Sequence, residues 1–163
     1  MTAVVAFTGH RPDKLGGYTG FNPIRDQLMA KLETLLLQML AQDPQLTAIS
    51  GMALGFDQWA AQVCVRIGVP FTAAVPYDGQ EKRWPETSQK LYHTILAKAA
   101  RVHIVSPGPY LLWKLQRRNV WMVDNCTRLI AAWNKSPGGT ANCVEYARSI
   151  SKPWDNLLPL EPA

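Results

Sequence analysis

Short apolar runs alternate along the chain with segments whose apolar residues recur every three or four positions. Glycine, proline or serine stands at the end of most runs, which is typical of buried strands that finish in turns. The predicted strands cover residues 3–7, 46–50, 70–75, 102–105 and 128–133, and a final edge strand covers residues 154–158.

The segments between the strands have helical spacing. Asn22 offers a side-chain acceptor at the N-cap of the first helix, and Pro23 occupies its first position. One apolar face runs along this helix, which Asp43 and Pro44 end. Residues 11–21 are too rich in glycine for regular structure and predict a mobile loop. Further helices are predicted over residues 59–67, 86–100, 116–125 and 141–150.

The strands alternate with helices, and most of them are continuously apolar. This combination is typical of a parallel sheet that helices cover on both faces. We therefore predict a Rossmann-like, doubly wound α/β fold with a mainly parallel sheet. No internal repeat, low-complexity tract or linker divides the sequence, so we expect one domain over residues 1–163.

Glycine and polar residues follow several strands in the same position. In a doubly wound fold these turns meet at the carboxyl ends of the strands, where ligands bind. Two of the turns, residues 51–57 and 134–142, also begin helices, and helix N-termini attract phosphate. The alternative is that the glycines only allow tight turns. We prefer phosphate binding because two such turns share one edge of the sheet.

The predicted ligand site combines these turns with the turn after the first strand. Arg11 is a candidate counter-charge for phosphate, and Asp57 is a candidate partner for a ribose or a catalytic water. His10 is a candidate proton donor or stacking ring, although a hydrogen bond within its own loop explains it almost as well. Tyr77 and Trp84 are candidates for stacking on a base. The predicted ligand-binding set is Gly9, His10, Arg11, Gly51, Gly55, Asp57, Gly138, Gly139, Thr140 and Asn142, with Asp57 and His10 as catalytic candidates.

Several polar residues also have structural explanations. Asp57, Thr140 and Asn142 suit the first turn of a helix without any ligand. Arg117 and Arg118 could contact an anion, but we interpret them as a solvated surface pair. The remaining histidines lack metal-ligand spacing, so no metal site is predicted.

Composition narrows the ligand and the setting. Of the 163 residues, 47% are hydrophobic and 18% are charged, which excludes a disordered chain. The net charge of +5 favours a phosphorylated ligand, and no basic run is long enough for a nucleic-acid tail. Three cysteines without CxxC spacing favour a reducing cytoplasm over a disulfide framework. We expect neither a signal peptide nor a membrane partner, because no apolar run approaches the length of a membrane span.

Several motifs together carry a family resemblance. They are Thr-Gly-His-Arg-Pro at 8–12, Lys-Leu-Gly-Gly-Tyr at 14–18, Gly-Met-Ala-Leu-Gly-Phe-Asp-Gln-Trp-Ala at 51–60, Arg-Asn-Trp-Met-Val-Asp distributed over 118–124 and Gly-Gly-Thr-Ala-Asn at 138–142. The sequence resembles the YpsA-like branch of the SLOG superfamily, which also contains the DprA/Smf DNA-processing proteins and the LOG phosphoribohydrolases. The resemblance extends from the first strand to Ala147. It implies a Rossmann-like fold that binds a nucleotide or a nucleotide-derived ligand.

The LOG pattern is incomplete in this chain. LOG enzymes carry Pro-Gly-Gly-x-Gly-Thr-x-x-Glu, whose glutamate assists cleavage of an N-glycosidic bond. Here Gly139 leads directly to Thr140, and Cys143 stands three residues later. Glu145 lies about 200° around the helix from Cys143 and is expected to face away from the site. Cys143, near a helix N-terminus, is expected to have a somewhat lowered pKa, although a nucleophilic role is less favoured. The resemblance therefore implies binding more firmly than hydrolysis.

Three functions are open at this point. The preferred one is binding of a nucleotide or a nucleotide-derived small molecule, as a sensor or ligand-binding protein. The second is hydrolysis of a nucleotide N-glycosidic or phosphate bond, and the third is DprA-like binding of single-stranded DNA. No cofactor beyond the nucleotide-type ligand is predicted, and catalysis is left open. The apolar segment 121–133 is compatible with a homo-oligomer.

Overall fold

The computed structural model describes residues 2–162, which contain six strands in one sheet. The strands are β1 (Val4–Gly9), β2 (Thr47–Ser50), β3 (Phe71–Val75), β4 (Arg101–Ile104), β5 (Arg128–Ala132) and β6 (Trp154–Asn156). The helices between them are α1 (Pro23–Gln42), α2 (Phe56–Ile67), α3 (Glu86–Leu96), α4 (Leu112–Asp124) and α5 (Gly139–Ser149). The order across the sheet is β4-β3-β2-β1-β5-β6, and every neighbouring pair is parallel. The predicted Rossmann-like α/β fold is confirmed.

Helices cover both faces of the sheet. Helices α1, α2 and α3 bury Leu32, Phe56 and Tyr92 against one face. Helices α4 and α5 bury Met122 and Val144 against the other face. Successive side chains of a strand point to opposite faces, so each central strand contributes to both cores. This arrangement explains why the strands are continuously apolar.

The strand order reverses beside β1. Strands β2, β3 and β4 follow one another toward one edge, whereas β5 pairs with the opposite side of β1, with Ala6 beside Leu129. The chain therefore leaves the carboxyl ends of β1 and β5 in different directions. A crevice at such a reversal is the usual ligand position in an open α/β sheet.

The first helix begins as predicted. The Asn22 side-chain oxygen accepts a hydrogen bond from the Arg25 N–H at 3.0 Å and thereby caps α1. The Asn22 amide nitrogen donates to the carbonyl oxygens of Leu15 and Gly17, at 2.9 and 3.1 Å. One side chain thus caps the helix and anchors the glycine-rich segment before it.

Other helix boundaries differ from the predicted ones. Helix α4 begins at Leu112, four residues earlier than expected, and α2 and α5 also begin early. The Lys114 ammonium group donates to the carbonyl oxygens of Pro107 and Pro109, at 3.0 and 2.8 Å. These bonds close the turn before α4, so the helix starts three residues after Pro109. The lysine makes these contacts within its own segment, five and seven residues back, but no known capping motif announces them.

Two further predictions, one of a loop and one of a helix end, were wrong in detail. Residues Pro12–Lys14 form a 3-10 turn inside the segment predicted to lack regular structure. Helix α3 ends at Leu96 because the N–H groups of Lys98 and Ala99 donate to carbonyl oxygens three residues back, which tightens the last turn. Among residues 2–162 no helix combines the length and apolar character needed to cross a membrane.

Candidate functional site

A cavity of about 330 Å³ opens where the strand order reverses. We call it the main cavity. Its walls come from the end of β1 and the turn after it, the start of α2, the inner side of α4 and the start of α5. The lining residues are Thr8, Gly9, His10, Arg11, Asp13, Lys14, Ala53, Asp57, Leu115, Arg118, Asn119, Pro137, Gly138, Gly139 and Thr140.

The structure brings most of the predicted site residues to this cavity. Those that line it are Gly9, His10, Arg11, Asp57, Gly138, Gly139 and Thr140. Gly51, Gly55 and Asn142 lie outside the lining, and Asn142 is exposed on α5. Tyr77 and Trp84 line a second cavity, of about 630 Å³, which shares Arg11 with the first.

At the glycines after β2, the protein's own atoms occupy the space where a side chain would lie. A Cβ on Gly51 would lie 2.5 Å from the Arg118 Nη1 atom and 3.0 Å from an Asp57 oxygen. A Cβ on Gly55 would lie 2.5 Å from the His10 carbonyl oxygen, and Gly55 has a φ of +95°. These two glycines therefore have a complete structural explanation in close packing of the chain against itself.

The glycines at the start of α5 are different. A Cβ on Gly138 or Gly139 would meet no atom within 4 Å, so space lies in front of both residues. The first N–H groups of an α-helix have no acceptor within the helix. Here the first turn of α5, which includes Thr140, stands at the wall of the main cavity. The side-chain amide of Asn119 also donates to the Gly139 carbonyl oxygen at 3.4 Å, which ties α4 to this turn.

Asp57 is a buried carboxyl group at the opposite wall. Its side chain is 5% exposed, and one carboxylate oxygen has no hydrogen-bond partner among residues 2–162. Burial raises the pKa of Asp57 to about 6, although the nearby positive charge of Arg118 and the Ala53 N–H oppose the rise. The group therefore titrates within reach of neutral pH and faces a cavity, which is the arrangement of a binding or proton-transfer carboxylate.

The interpretation of Arg117 and Arg118 as a solvated surface pair was wrong for Arg118, which is buried. Its side chain is 6% exposed, and Nη1 donates to the carbonyl oxygens of Gly51 and Ala74, at 2.7 and 3.3 Å. Arg117 is exposed and lies over the Trp113 ring, 5.3 Å from its centroid. Sequence reasoning missed Arg118 because adjacent arginines look alike, although their helical positions differ by about 100°.

His10 is held by the loop after β5. Its Nε2 atom accepts a hydrogen bond from the Asn134 N–H at 3.0 Å, and its side chain is 7% exposed. Burial lowers the pKa of His10, so the neutral ring is favoured. An accepting Nε2 leaves the proton on Nδ1. His10 therefore has a structural role without any ligand, but its hydrogen bond is to the loop after β5 and not, as expected, to its own loop.

Two exposed cations stand at the mouth of the main cavity. Arg11 forms no ion pair with any residue between 2 and 162, and Lys14 donates to the Ser136 hydroxyl at 3.0 Å. The backbone beside Arg11 is fixed, because the Phe56 N–H donates to the His10 carbonyl oxygen at 3.2 Å. The Arg11 backbone is thus held in place, whereas its guanidinium group has no carboxylate partner among residues 2–162.

The second cavity, which we call the aromatic cavity, extends from Arg11 toward the loops after β3 and β4. Its lining residues are Arg11, Tyr77, Asp78, Gly79, Gln80, Lys82, Arg83, Trp84, Pro109 and Tyr110. The rings of Tyr77 and Tyr110 pack edge to face, with centroids 5.3 Å apart. The Asp78 carboxylate has a partner within the cavity wall, because one of its oxygens accepts a hydrogen bond from the Gly108 N–H at 2.6 Å.

A family model covers nearly all of these features. The family model YpsA, described as the YspA SLOG family, matches residues 5–152. That range includes β1 from Val5 onward, strands β2 to β5 and every residue that lines the main cavity. The chain belongs to this family. The resemblance drawn from the motifs is thereby confirmed.

Two relatives extend this SLOG assignment. The chain is 29% identical over 144 residues to the uncharacterized SPbeta prophage-derived protein YoqJ of Bacillus subtilis, covering 78% of this chain and 84% of that protein. It is 26% identical over 164 residues to a UPF0398 protein of Halalkalibacterium halodurans, covering 95% of this chain and 86% of that protein. Their names carry no stated activity.

Solved structures of DNA processing protein A share the fold. The protein from Streptococcus pneumoniae superposes with a TM-score of 0.66 at 21% identity, over 95% of this chain and 50% of that chain. The protein from Helicobacter pylori, described with its single-stranded DNA binding mode, gives a TM-score of 0.66 at 18% identity. That match covers 98% of this chain and 66% of the other. This chain thus matches half to two thirds of the length of these structures.

The LOG-like glutamate position holds a buried thiol in this SLOG domain. Cys143 is fully buried, and burial raises its pKa to about 12, so the expectation of a lowered pKa was wrong. The helix N-terminus does not outweigh the loss of solvent around the sulfur atom. Glu145 is exposed and does not line the main cavity.

Proposed function

We propose that the protein binds a nucleotide or a nucleotide-derived small molecule in the main cavity, with a phosphate against the first turn of α5. The observation that carries the proposal is the open space in front of Gly138 and Gly139 at a helix N-terminus. Backbone N–H groups there are donors without helical acceptors, and the helix dipole favours an anion. Gly51 and Gly55, by contrast, do not line the main cavity, and protein atoms fill the space where their side chains would lie.

The charges around the main cavity support this orientation. Arg11 and Lys14 stand at the mouth, and both can balance a phosphate dianion. Asp57 lines the other wall, where its carboxylate is a candidate acceptor for a hydrogen bond from a ribose hydroxyl. The phosphate therefore belongs beside α5, and the sugar belongs toward α2.

Isothermal titration with the nucleoside monophosphates tests the proposal. We expect at least one to bind with a dissociation constant below about 1 mM. Gly139→Val places a side chain in the open space and is expected to weaken binding at least about tenfold. Gly20→Val is the matched control, because a Cβ on Gly20 also meets no atom within 4 Å and Gly20 does not line the main cavity. Equal binding by the two variants would refute the phosphate position.

A second candidate function is hydrolysis of a nucleotide N-glycosidic or phosphate bond. The observation that favours it is the buried Asp57 carboxyl, whose pKa of about 6 suits a general acid or base. Cys143 and Glu145 provide no substitute for a second catalytic carboxylate, because one is buried and the other points to solvent. Chromatographic assay for a released base or phosphate tests this candidate, which requires turnover that Asp57→Asn abolishes while binding persists.

A third candidate is single-stranded DNA binding, a property of DNA processing protein A from Helicobacter pylori, which shares the fold. The net charge of +5 and the exposed rings of Tyr110 and Trp113 favour it. Such binding weakens steeply with salt. A mobility-shift assay with a labelled single strand at low and high salt measures it, and no shift at low salt excludes it.

We also propose a reducing compartment, the cytoplasm, as the location. Cys64, Cys126 and Cys143 are buried free thiols, and burial raises the pKa of each. Fractionation of cells with an antibody against the protein would check the location.

A further inference from the structure

We propose that the ligand is a dinucleotide joined through a pyrophosphate, with its second nucleoside in the aromatic cavity. The inference rests on the proposed function, because the first phosphate is the one placed against α5. It is carried by Arg11, which belongs to the walls of both cavities. The two cavities therefore meet at a cation that has no ion-pair partner among residues 2–162.

Arg11 suits the bridge of such a ligand. Its backbone is pressed against the start of α2, since a Cβ on Gly55 would lie 2.8 Å from the Arg11 Cα atom. The guanidinium group extends from this fixed point and can donate to two phosphate oxygens at once. One phosphate at the first turn of α5 and the next at Arg11 would place the second nucleoside beyond Arg11, in the aromatic cavity.

The aromatic cavity has the chemistry of a nucleoside pocket. Tyr110 lines the cavity and is 53% exposed, and its ring packs edge to face against Tyr77. Lys82 and Arg83 add positive charge, whereas the carboxylate of Asp78 is engaged by the Gly108 N–H. Aromatic faces accept any base, and each stack contributes about 1–3 kcal/mol by alanine substitution.

The sizes of the cavities agree with two units rather than one. The main cavity holds about 330 Å³ and the aromatic cavity about 630 Å³. Each falls within the range of roughly 300–1,000 Å³ of small-molecule sites. A mononucleotide in the main cavity would leave the larger, aromatic cavity empty.

Isothermal titration of AMP and of diadenosine diphosphate, with the corresponding guanine pair, tests the inference. We expect the dinucleotide to bind at least about tenfold more tightly than the mononucleotide of the same base. Tyr110→Ala is expected to remove this advantage and to leave mononucleotide affinity unchanged. Trp113→Ala is the matched control, because Trp113 is equally exposed, at 52%, and lines neither cavity.

The outcomes separate the two proposals. If the mononucleotides bind but the dinucleotides gain less than about tenfold, the second subsite is wrong and the proposed function stands. If neither class binds, both are wrong. If a single strand of about ten nucleotides binds at least about tenfold more tightly than the dinucleotide, the two cavities form part of a polymer groove and the dinucleotide assignment is overturned.

Discussion

The Arg118 guanidinium donates a hydrogen bond to the Gly51 carbonyl oxygen over 2.7 Å, although the two residues lie 67 positions apart in the sequence. Asp57 lies near the same side of this glycine, because a Cβ on Gly51 would lie 2.5 Å from the Arg118 Nη1 atom and 3.0 Å from an Asp57 carboxylate oxygen. Two buried, oppositely charged groups therefore occupy the space that a side chain at position 51 would need. This arrangement determines the electrostatics of the main cavity and makes several outcomes testable.

Gly51→Ala is expected to destabilise the protein by about 1–3 kcal/mol, because the added methyl group would overlap a guanidinium that two carbonyl oxygens hold in place. Urea denaturation measures the change in the free energy of unfolding. Gly20→Ala serves as the control, since open space surrounds Gly20. A Gly51→Ala protein as stable as the control would contradict the close packing around Gly51.

The stability of the protein should depend on pH through Asp57. Because the folded-state pKa of about 6 lies above the ordinary value of 3.8, the folded state binds the proton more tightly. The proton's stabilising contribution is complete below pH about 4, declines as the pH rises to about 6 and is absent above that, with an upper size of about 3 kcal/mol.

The comparison with Asp57→Asn isolates this contribution. Asp43 and His10, whose pKa values are lowered, contribute pH dependence of the opposite sign in both proteins. The difference in unfolding free energy between the two proteins, measured in urea from pH 4 to pH 7, should therefore change with pH as Asp57 alone titrates. A difference that stays constant over this range would contradict the raised pKa.

Removal of Arg118 should raise the pKa of Asp57 above about 6, because the guanidinium is the largest favourable charge for the ionised carboxylate. Carbon-13 chemical shifts of the Asp57 carboxyl in Arg118→Gln follow the titration directly. Arg118→Gln should also destabilise the protein by about 3–5 kcal/mol at neutral pH, where it leaves a buried charge uncompensated. Adding Asp57→Asn should recover part of that loss, and additive effects of the two substitutions would exclude coupling.

His10→Phe is expected to destabilise the protein by about 0.5–1.5 kcal/mol, because the partly buried hydrogen bond from the Asn134 N–H to His10 is lost. His10→Gln keeps an acceptor atom and should recover part of the stability. Thermal unfolding of both variants measures the difference. Equal unfolding temperatures would mean that the contact between His10 and Asn134 contributes little.

Arg11→Gln should weaken binding of a mononucleotide about tenfold while leaving the free energy of unfolding within about 0.5 kcal/mol of the native value. The reason is that Arg11 is exposed and makes no ion pair among residues 2–162. Parallel titration calorimetry and urea denaturation give the two numbers. A large loss of stability would show a structural role instead.

The order of the elements could be predicted because each depends on local signals. The apolar runs that became β1 to β5 and the Asn22-Pro23 start of α1 need no knowledge of the rest of the chain. The position of the main cavity, at the carboxyl ends of the strands, could be predicted from the fold class alone. Sequence reasoning therefore placed seven of its predicted ligand-binding residues around one cavity.

The roles of individual residues depend on distant partners and could not be predicted. The turns at Gly51 and at Gly138 look alike in sequence. In the structure, however, Arg118 occupies the space where a side chain at Gly51 would lie, whereas the corresponding space at Gly138 is open. Nothing near Arg118 indicates that carbonyl oxygens from two distant strand ends will surround it. The start of α4 was missed for a different reason, because Lys114 closes the preceding turn through side-chain bonds that no helix-capping pattern in the sequence announces.

The contrast between the glycines has a consequence for how the family can diverge. At Gly51 any side chain conflicts with the protein's own core, so every folded descendant is constrained there whatever it binds. At Gly139 a side chain would meet no neighbouring protein atom within 4 Å, so under the proposed function it is the ligand in the main cavity that opposes a change. A lineage without that ligand would be free to drift at Gly139 while keeping Gly51, and a library scored for cellular abundance would tolerate substitutions at Gly139 and reject them at Gly51.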